Sequence, residues 1–133
     1  MKLLTFVSGM GPAVLGIIVA GGYLLGTDTS SQVEQLSDPA FEETVVHSKT
    51  PVLVDFCATW CGPCRMLAPI VEDVARETDR VRFLRIDVDQ HRDLAAQLHI
   101  TSIPCLILFE DGRIRARKVG LQSKAAVESM VGL

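Results

Sequence analysis

Apolar side chains are distributed in two ways along the 133-residue chain. From Leu3 to Gly26 they run with no charged neighbour. As a helix rising about 1.5 Å per residue, that stretch is long enough to cross a hydrocarbon core about 30 Å thick. Residues 1–26 are therefore expected to form a transmembrane anchor, since the glycines and Pro12 are of a kind found in membrane helices. The alternative is a signal peptide: Lys2 supplies a minimal positive start, and Ala20 and Gly22 offer a small-residue cleavage site before Tyr23. Lys2 precedes the segment, whereas Asp28, Glu34 and Asp38 come after it, a bias that puts the N-terminus inside and the rest outside. Both readings place the remainder of the chain on the outer, periplasmic or extracytoplasmic side, anchored in the first case and secreted in the second. Residues 27–36 (TDTSSQVEQL) open with Ser and Thr and read as a tether into a domain spanning 33–133.

Beyond the tether the periodicity changes. Asp38 can cap a helix with Pro39 in its first turn and Phe41 and Val45 on one face, and the apolar run Pro51 to Phe56 comes next as a buried strand. Cys61 to Thr78 carries Leu67, Ile70, Val71 and Val74 at helical spacing, with Pro69 expected to kink that helix. Val81 to Val88 (VRFLRIDV) alternates as a strand does, and Arg92 to Leu98 makes a short helix. Cys105 to Phe109 and Arg113 to Val119 flank Asp111-Gly112, a two-residue hairpin signal, and Ser123 can cap a closing helix through Val131. This alternation of strands and helices predicts an α/β fold with a central mixed sheet and helices on both faces.

Composition narrows the classes. With 48 % apolar and 22 % charged residues the chain suits one ordinary domain, not a disordered tail or a multi-domain enzyme. A net charge of −3 without a long run of one sign excludes a nucleic-acid protein held by phosphate contacts. Arg113, Arg115, Arg117 and Lys118 read as the solvated face of an alternating strand and its end. Four cysteines are too few and too unevenly placed for a disulfide-stapled mini-fold. The three histidines, His47, His91 and His99, have no mutual ligand spacing.

The chemistry concentrates at Trp60-Cys61-Gly62-Pro63-Cys64, where the apolar strand ending at Asp55-Phe56 passes into a helix. This spacing suits a reversible disulfide. Unpaired amides and the positive end of the helix dipole stabilise a thiolate on Cys61, making it the attacking sulfur, with Cys64 close by and more buried. Attack on a substrate disulfide gives a mixed disulfide, which Cys64 then displaces. Pro63 fits the first helical turn, where its missing amide costs little.

The chain resembles the thioredoxin family over roughly residues 33–132. The resemblance rests on Val52-Leu53-Val54-Asp55-Phe56, Trp60 through Cys64, Pro69, Ile103-Pro104, Phe109 with Gly112, and Lys118-Val119-Gly120 in matching order. It implies a thioredoxin fold, which the apolar run would precede as one hydrophobic N-terminal helix, and no cofactor beyond the redox-active Cys61-Cys64 disulfide. It also implies that Asp55 is a buried carboxylate helping to deprotonate Cys64. Ile103-Pro104 matches the family's cis-proline, setting a backbone edge beside Cys61 for an extended substrate. Trp60, Gly62, Pro63, Ile103, Pro104, Val119 and Gly120 resemble the family's apolar docking surface. Three positions depart from the family pattern: Cys57 stands where tryptophan is usual, Phe83 where a lysine near the buried carboxylate is common, and Cys105 where threonine is frequent. Losing the lysine is expected to raise the pKa of Asp55.

The sequence thus points to a membrane-tethered or exported thiol:disulfide oxidoreductase, working as a monomeric reductase of protein disulfides and recharged by an upstream thiol electron donor. The alternative is a thioredoxin-fold binding module without turnover, holding a partner, a metal or an iron–sulfur cluster through its cysteines. Cys57, Cys61 and Cys64 have cluster-like spacing, but a second cysteine pair at zinc-finger spacing is absent from the sequence. No metal site and no nucleic-acid partner are assigned.

Overall fold

The alternating patterns become five strands and three α-helices in the computed structural model, which describes residues 31–35 and 40–133. The strands are β1 Val33–Gln35, β2 Val52–Cys57, β3 Arg82–Asp87, β4 Cys105–Glu110 and β5 Arg113–Val119. The α-helices are α1 Gly62–Glu77, α2 Arg92–Gln97 and α3 Lys124–Val131, and a π-helical turn spans Glu42–Val46. Together they give the expected mixed sheet flanked by helices, in the order β1-β3-β2-β4-β5. The β1–β3 and β2–β3 pairs are parallel, and the β2–β4 and β4–β5 pairs antiparallel. A strand covered on both faces requires apolar side chains on both, and β2, apolar but for Asp55, lies at the centre of the sheet.

Strand alternation sorts the core into two layers. Leu53, Phe83 and Leu106 pack with Leu67, Val71 and Val74 of α1 and with Val127 and Met130 of α3. On the opposite face Val54, Phe56, Leu84, Ile86, Cys105 and Ile107 pack with Leu94 of α2, with Val45 of the π-helical turn and with Phe41 just before it. Cys105 is 1 % exposed there, a small apolar filler. In α1 the buried positions Cys64, Leu67, Val71, Val74 and Ala75 form one stripe, and Pro69 lies on the exposed side of a continuous helix. The β4–β5 hairpin turns at Asp111 and Gly112, with φ 52° and 73°, the left-handed pair that a two-residue type I′ turn demands. α3 begins as expected, with the Ser123 side chain accepting from the Ala126 amide at 3.2 Å.

Two elements, β1 and β5, differ from the sequence reading for physical reasons, and part of that reading is not described. The apolar run 3–26, the Asp38 cap and Pro39 lie outside the described residues. No helix among the described residues is long and apolar enough to cross a membrane. The end of the stretch read as a tether is an edge strand: Val33 is 3 % exposed and stands in register with Phe83, which anchors β1 to β3. On β5, Arg117 is not simply solvated, because its Nη2 donates to the Leu98 carbonyl at 2.7 Å and ties the strand to the end of α2.

Candidate active site

The site forms where β2 ends and α1 begins. Cys61 is the N-cap of α1, in extended conformation, and its Sγ accepts a hydrogen bond from the Cys64 amide at 3.2 Å. An N-cap acceptor satisfies one of the unpaired amides of the first turn, the arrangement that favours negative charge on Sγ. Cys61 and Cys64 are joined by a disulfide across a Cα separation of 5.2 Å. Both residues are 4 % exposed, so the expected difference in burial is absent from the oxidised pair. Ala58 is buried with both cysteines, and Cys57, Val88 and Ile103 pack against the three; the two cysteines differ in their position on the helix.

Beneath the disulfide the sheet face changes character from one end to the other. The parallel register pairs Leu53 with Phe83, Asp55 with Arg85 and Cys57 with Asp87. The face that α1 covers therefore passes from apolar, to an ion pair, to a thiol beside a carboxylate. Asp55 is 1 % exposed and accepts from Arg85 Nε at 3.1 Å through Oδ2. Its Oδ1, like Arg85 Nη2, has no hydrogen-bond partner among the described residues. Burial raises the Asp55 carboxyl above its ordinary value, with Arg85 opposing. Burial and the Asp55 charge push the Cys57 thiol up to about 12. Phe83 does not stand in for a lost cation: it belongs to the apolar layer with Leu53. The cation is Arg85, and the raised carboxyl results from burial despite it.

The residues of the expected docking surface lie around the pair. Trp60 is 66 % exposed, its Nε1 donating to Asp89 Oδ2 at 2.6 Å. Gly62 and Pro63 make the first turn of α1. Ile103 packs on the cysteine cluster, and the Ile103–Pro104 peptide is cis. The Gly120 amide donates to the Pro104 carbonyl at 2.8 Å, holding Gly120 and the exposed Val119 beside that segment. A groove of about 340 Å³ runs from Trp60 to Ile103 along α2. The sequence reading missed Arg85, Asp87 and Asp89. Period-two alternation on β3 offered Arg85 and Asp87 as well as Phe83, but only the register with β2 shows which of them faces Asp55. Among the described residues no group of three or more His, Cys, Asp or Glu side chains is arranged to hold a metal ion.

A cysteine pair that closes at a helix N-cap and can reopen by thiolate attack has one ready chemistry, disulfide exchange. That defines the class, the thiol–disulfide oxidoreductases. The chain belongs to the thioredoxin family, whose profile matches residues 32–132. A thioredoxin from Acidithiobacillus ferridurans is 44 % identical over 103 residues, covering 77 % of this chain and 95 % of the relative. One from Mycobacterium tuberculosis is 46 % identical over 95 residues, covering 70 % of this chain and 81 % of the relative. A bifunctional thioredoxin reductase/thioredoxin from Mycobacterium leprae is 43 % identical over 94 residues, 70 % of this chain and 20 % of that longer protein. These relatives correct the expectation of an anchored or secreted domain on the outer side of a membrane. Two of the three are plain thioredoxins matched over most of their length, and no helix among the described residues can span a bilayer.

Proposed function

We propose that the chain reduces protein disulfides, with Cys61 as the attacking thiol, Cys64 as the resolving thiol and Asp55 as the base that takes the Cys64 proton. The observation that carries this reading is the N-cap position of Cys61, whose Sγ receives the Cys64 amide. After reduction that amide and the helix dipole favour a Cys61 thiolate, while Cys64, inside the helix, lacks the same support. Cys61 attacks one sulfur of the substrate, and the other leaves as a thiolate. Cys64 then attacks Cys61 Sγ, releasing the second substrate sulfur and restoring the disulfide. The unpartnered Oδ1 of Asp55 leaves one carboxylate oxygen available for the proton that Cys64 must lose. Trp60, Gly62, Pro63, Ile103, Pro104, Val119 and Gly120 form the rim on which an extended substrate docks. The name of the Mycobacterium leprae relative supports a thioredoxin reductase as the upstream donor.

Replacing Cys64 with Ser tests the roles. The variant is expected to accumulate a covalent adduct with a protein-disulfide substrate, mapped to Cys61 by mass spectrometry. Accumulation in Cys61→Ser, with the adduct on Cys64, would reverse the assignment.

A further inference from the structure

Strand period brings a third sulfur to the redox pair. Cys57 ends β2 two residues after Asp55, on the face that α1 covers. It packs against the cluster that contains Cys61 and Cys64 and shares with Cys64 a cavity of about 240 Å³. Asp87 and Arg85 of β3 and Arg65 of α1 supply the charged part of that wall. Cys105, the other free cysteine among the described residues, faces the opposite layer with Phe56 and Ile107.

We infer that Cys57 is a third exchange thiol of the oxidised protein, taking Cys64 as its disulfide partner and releasing Cys61. This rests on the Cys61-Cys64 pair being the redox pair proposed above. Cys57 gives its proton to solvent and its sulfur attacks Cys64 Sγ. A Cys57–Cys64 bond forms, the Cys61–Cys64 bond breaks, and the electron pair leaves on Cys61 Sγ as a thiolate. One disulfide replaces another, so the step consumes no oxidant or reductant.

Charge placement sets the direction. Among three sulfurs sharing one disulfide, the most acidic thiol is the most stable outside it and the least acidic is the most stable inside it. Cys61 has the helix N-terminus and the Cys64 amide to hold a negative charge. Cys57 faces the Asp55 and Asp87 carboxylates, with Arg85 as the opposing charge, and burial adds to the cost of ionising it. The same burial makes the exchange slow near neutral pH, where almost all Cys57 is protonated. Each event that leaves Cys61 as a thiolate releases one proton, so the ratio of rearranged to original disulfide rises with pH, by at most about tenfold per unit, while Cys57 stays protonated. The rearranged form keeps Cys61 free to capture a substrate but withholds Cys64 from resolving it.

The test uses the full-length oxidised chain, held without oxygen or reductant at about pH 7 and about pH 9, quenched in acid with a maleimide and mapped by mass spectrometry. The expected result is maleimide on Cys61 with a Cys57–Cys64 linked peptide, the ratio rising between the two conditions by up to about a hundredfold, and no such peptide from Cys57→Ser. A second measurement oxidises Cys61→Ser with glutathione disulfide, which is expected to close a Cys57–Cys64 bond. Maleimide on Cys57 at both pH values, or glutathione left on Cys64 beside a free Cys57, overturns the inference. If protein-disulfide turnover is intact in that case, the functional reading stands. An oxidised chain lacking the Cys61–Cys64 link in every sample overturns both.

Discussion

Asp55 is a carboxylate placed where its charge is costly, and its partner was the least legible residue of the site. The strand RFLRID offers Phe83 and Arg85 to the same face. The sequence shows that both point one way but not which stands opposite Asp55, because register is set by the packing of β2 and β3 as a whole. With its pKa raised by burial, Asp55 holds its proton in the native state to a higher pH than in the unfolded chain. The native state then binds more protons within that window, so stability present below the unfolded pKa is lost as pH rises through the folded one. Asp55→Asn is uncharged throughout and its amide oxygen can still accept from Arg85. Its unfolding midpoint in denaturant is expected to exceed the wild type's at about pH 8 and to converge on it toward about pH 4. A gap independent of pH would show that Asp55 does not titrate with folding. In the same variant, mixed-disulfide breakdown is expected to slow near neutral pH and to lose its pH dependence, whereas a purely structural carboxylate would leave that profile unchanged.

Among the elements, those long enough to show a period were readable, down to the six residues of α2, and β1 was not. Leu67, Val71 and Val74 announce α1 by spacing alone, and Asp111-Gly112 announces the β4–β5 turn. β1 has three residues, too few for a period to show, and it exists because Val33 finds cover beside Phe83. The hairpin turn also makes a contact that no local pattern contains. A Cβ on Gly112 would lie 2.8 Å from the Val46 carbonyl oxygen of the π-helical turn, at a φ of +73°. Gly112→Ala therefore combines a left-handed backbone with a clash against main chain, and is expected to destabilise the domain by roughly 1–3 kcal/mol. Thermal or denaturant unfolding measures this. A loss below a few tenths of a kcal/mol would show that the turn can move away from Val46.

At the scale of the whole molecule, alternation of apolar strands and amphipathic helices was enough to give the mixed sheet and its two layers. The expectation of export came from elsewhere, from the length of one uncharged run, and a length criterion carries no information about the domain beyond it. Direction of electron flow is likewise a property of the entire fold, since the potential of a folded dithiol depends on whether folding stabilises its bonded or its open form. A reductase requires the bonded form to be the better stabilised of the two. The oxidised chain is accordingly expected to unfold at higher denaturant than the reduced chain at the same pH. The reverse order would mark a protein that donates its disulfide instead.

Trp60 is the sole tryptophan of the chain, and its indole, hydrogen-bonded to Asp89, stands directly before the cysteine pair. Light absorbed by indole anywhere in this protein is absorbed at the working end. Disulfides quench nearby indole emission, so the emission is expected to report the bonding state of the two sulfurs without an attached dye. The same placement sets a boundary on what that signal reports: the distant layer around Val127 and Met130 of α3 holds no indole, and loosening there can leave the emission unchanged.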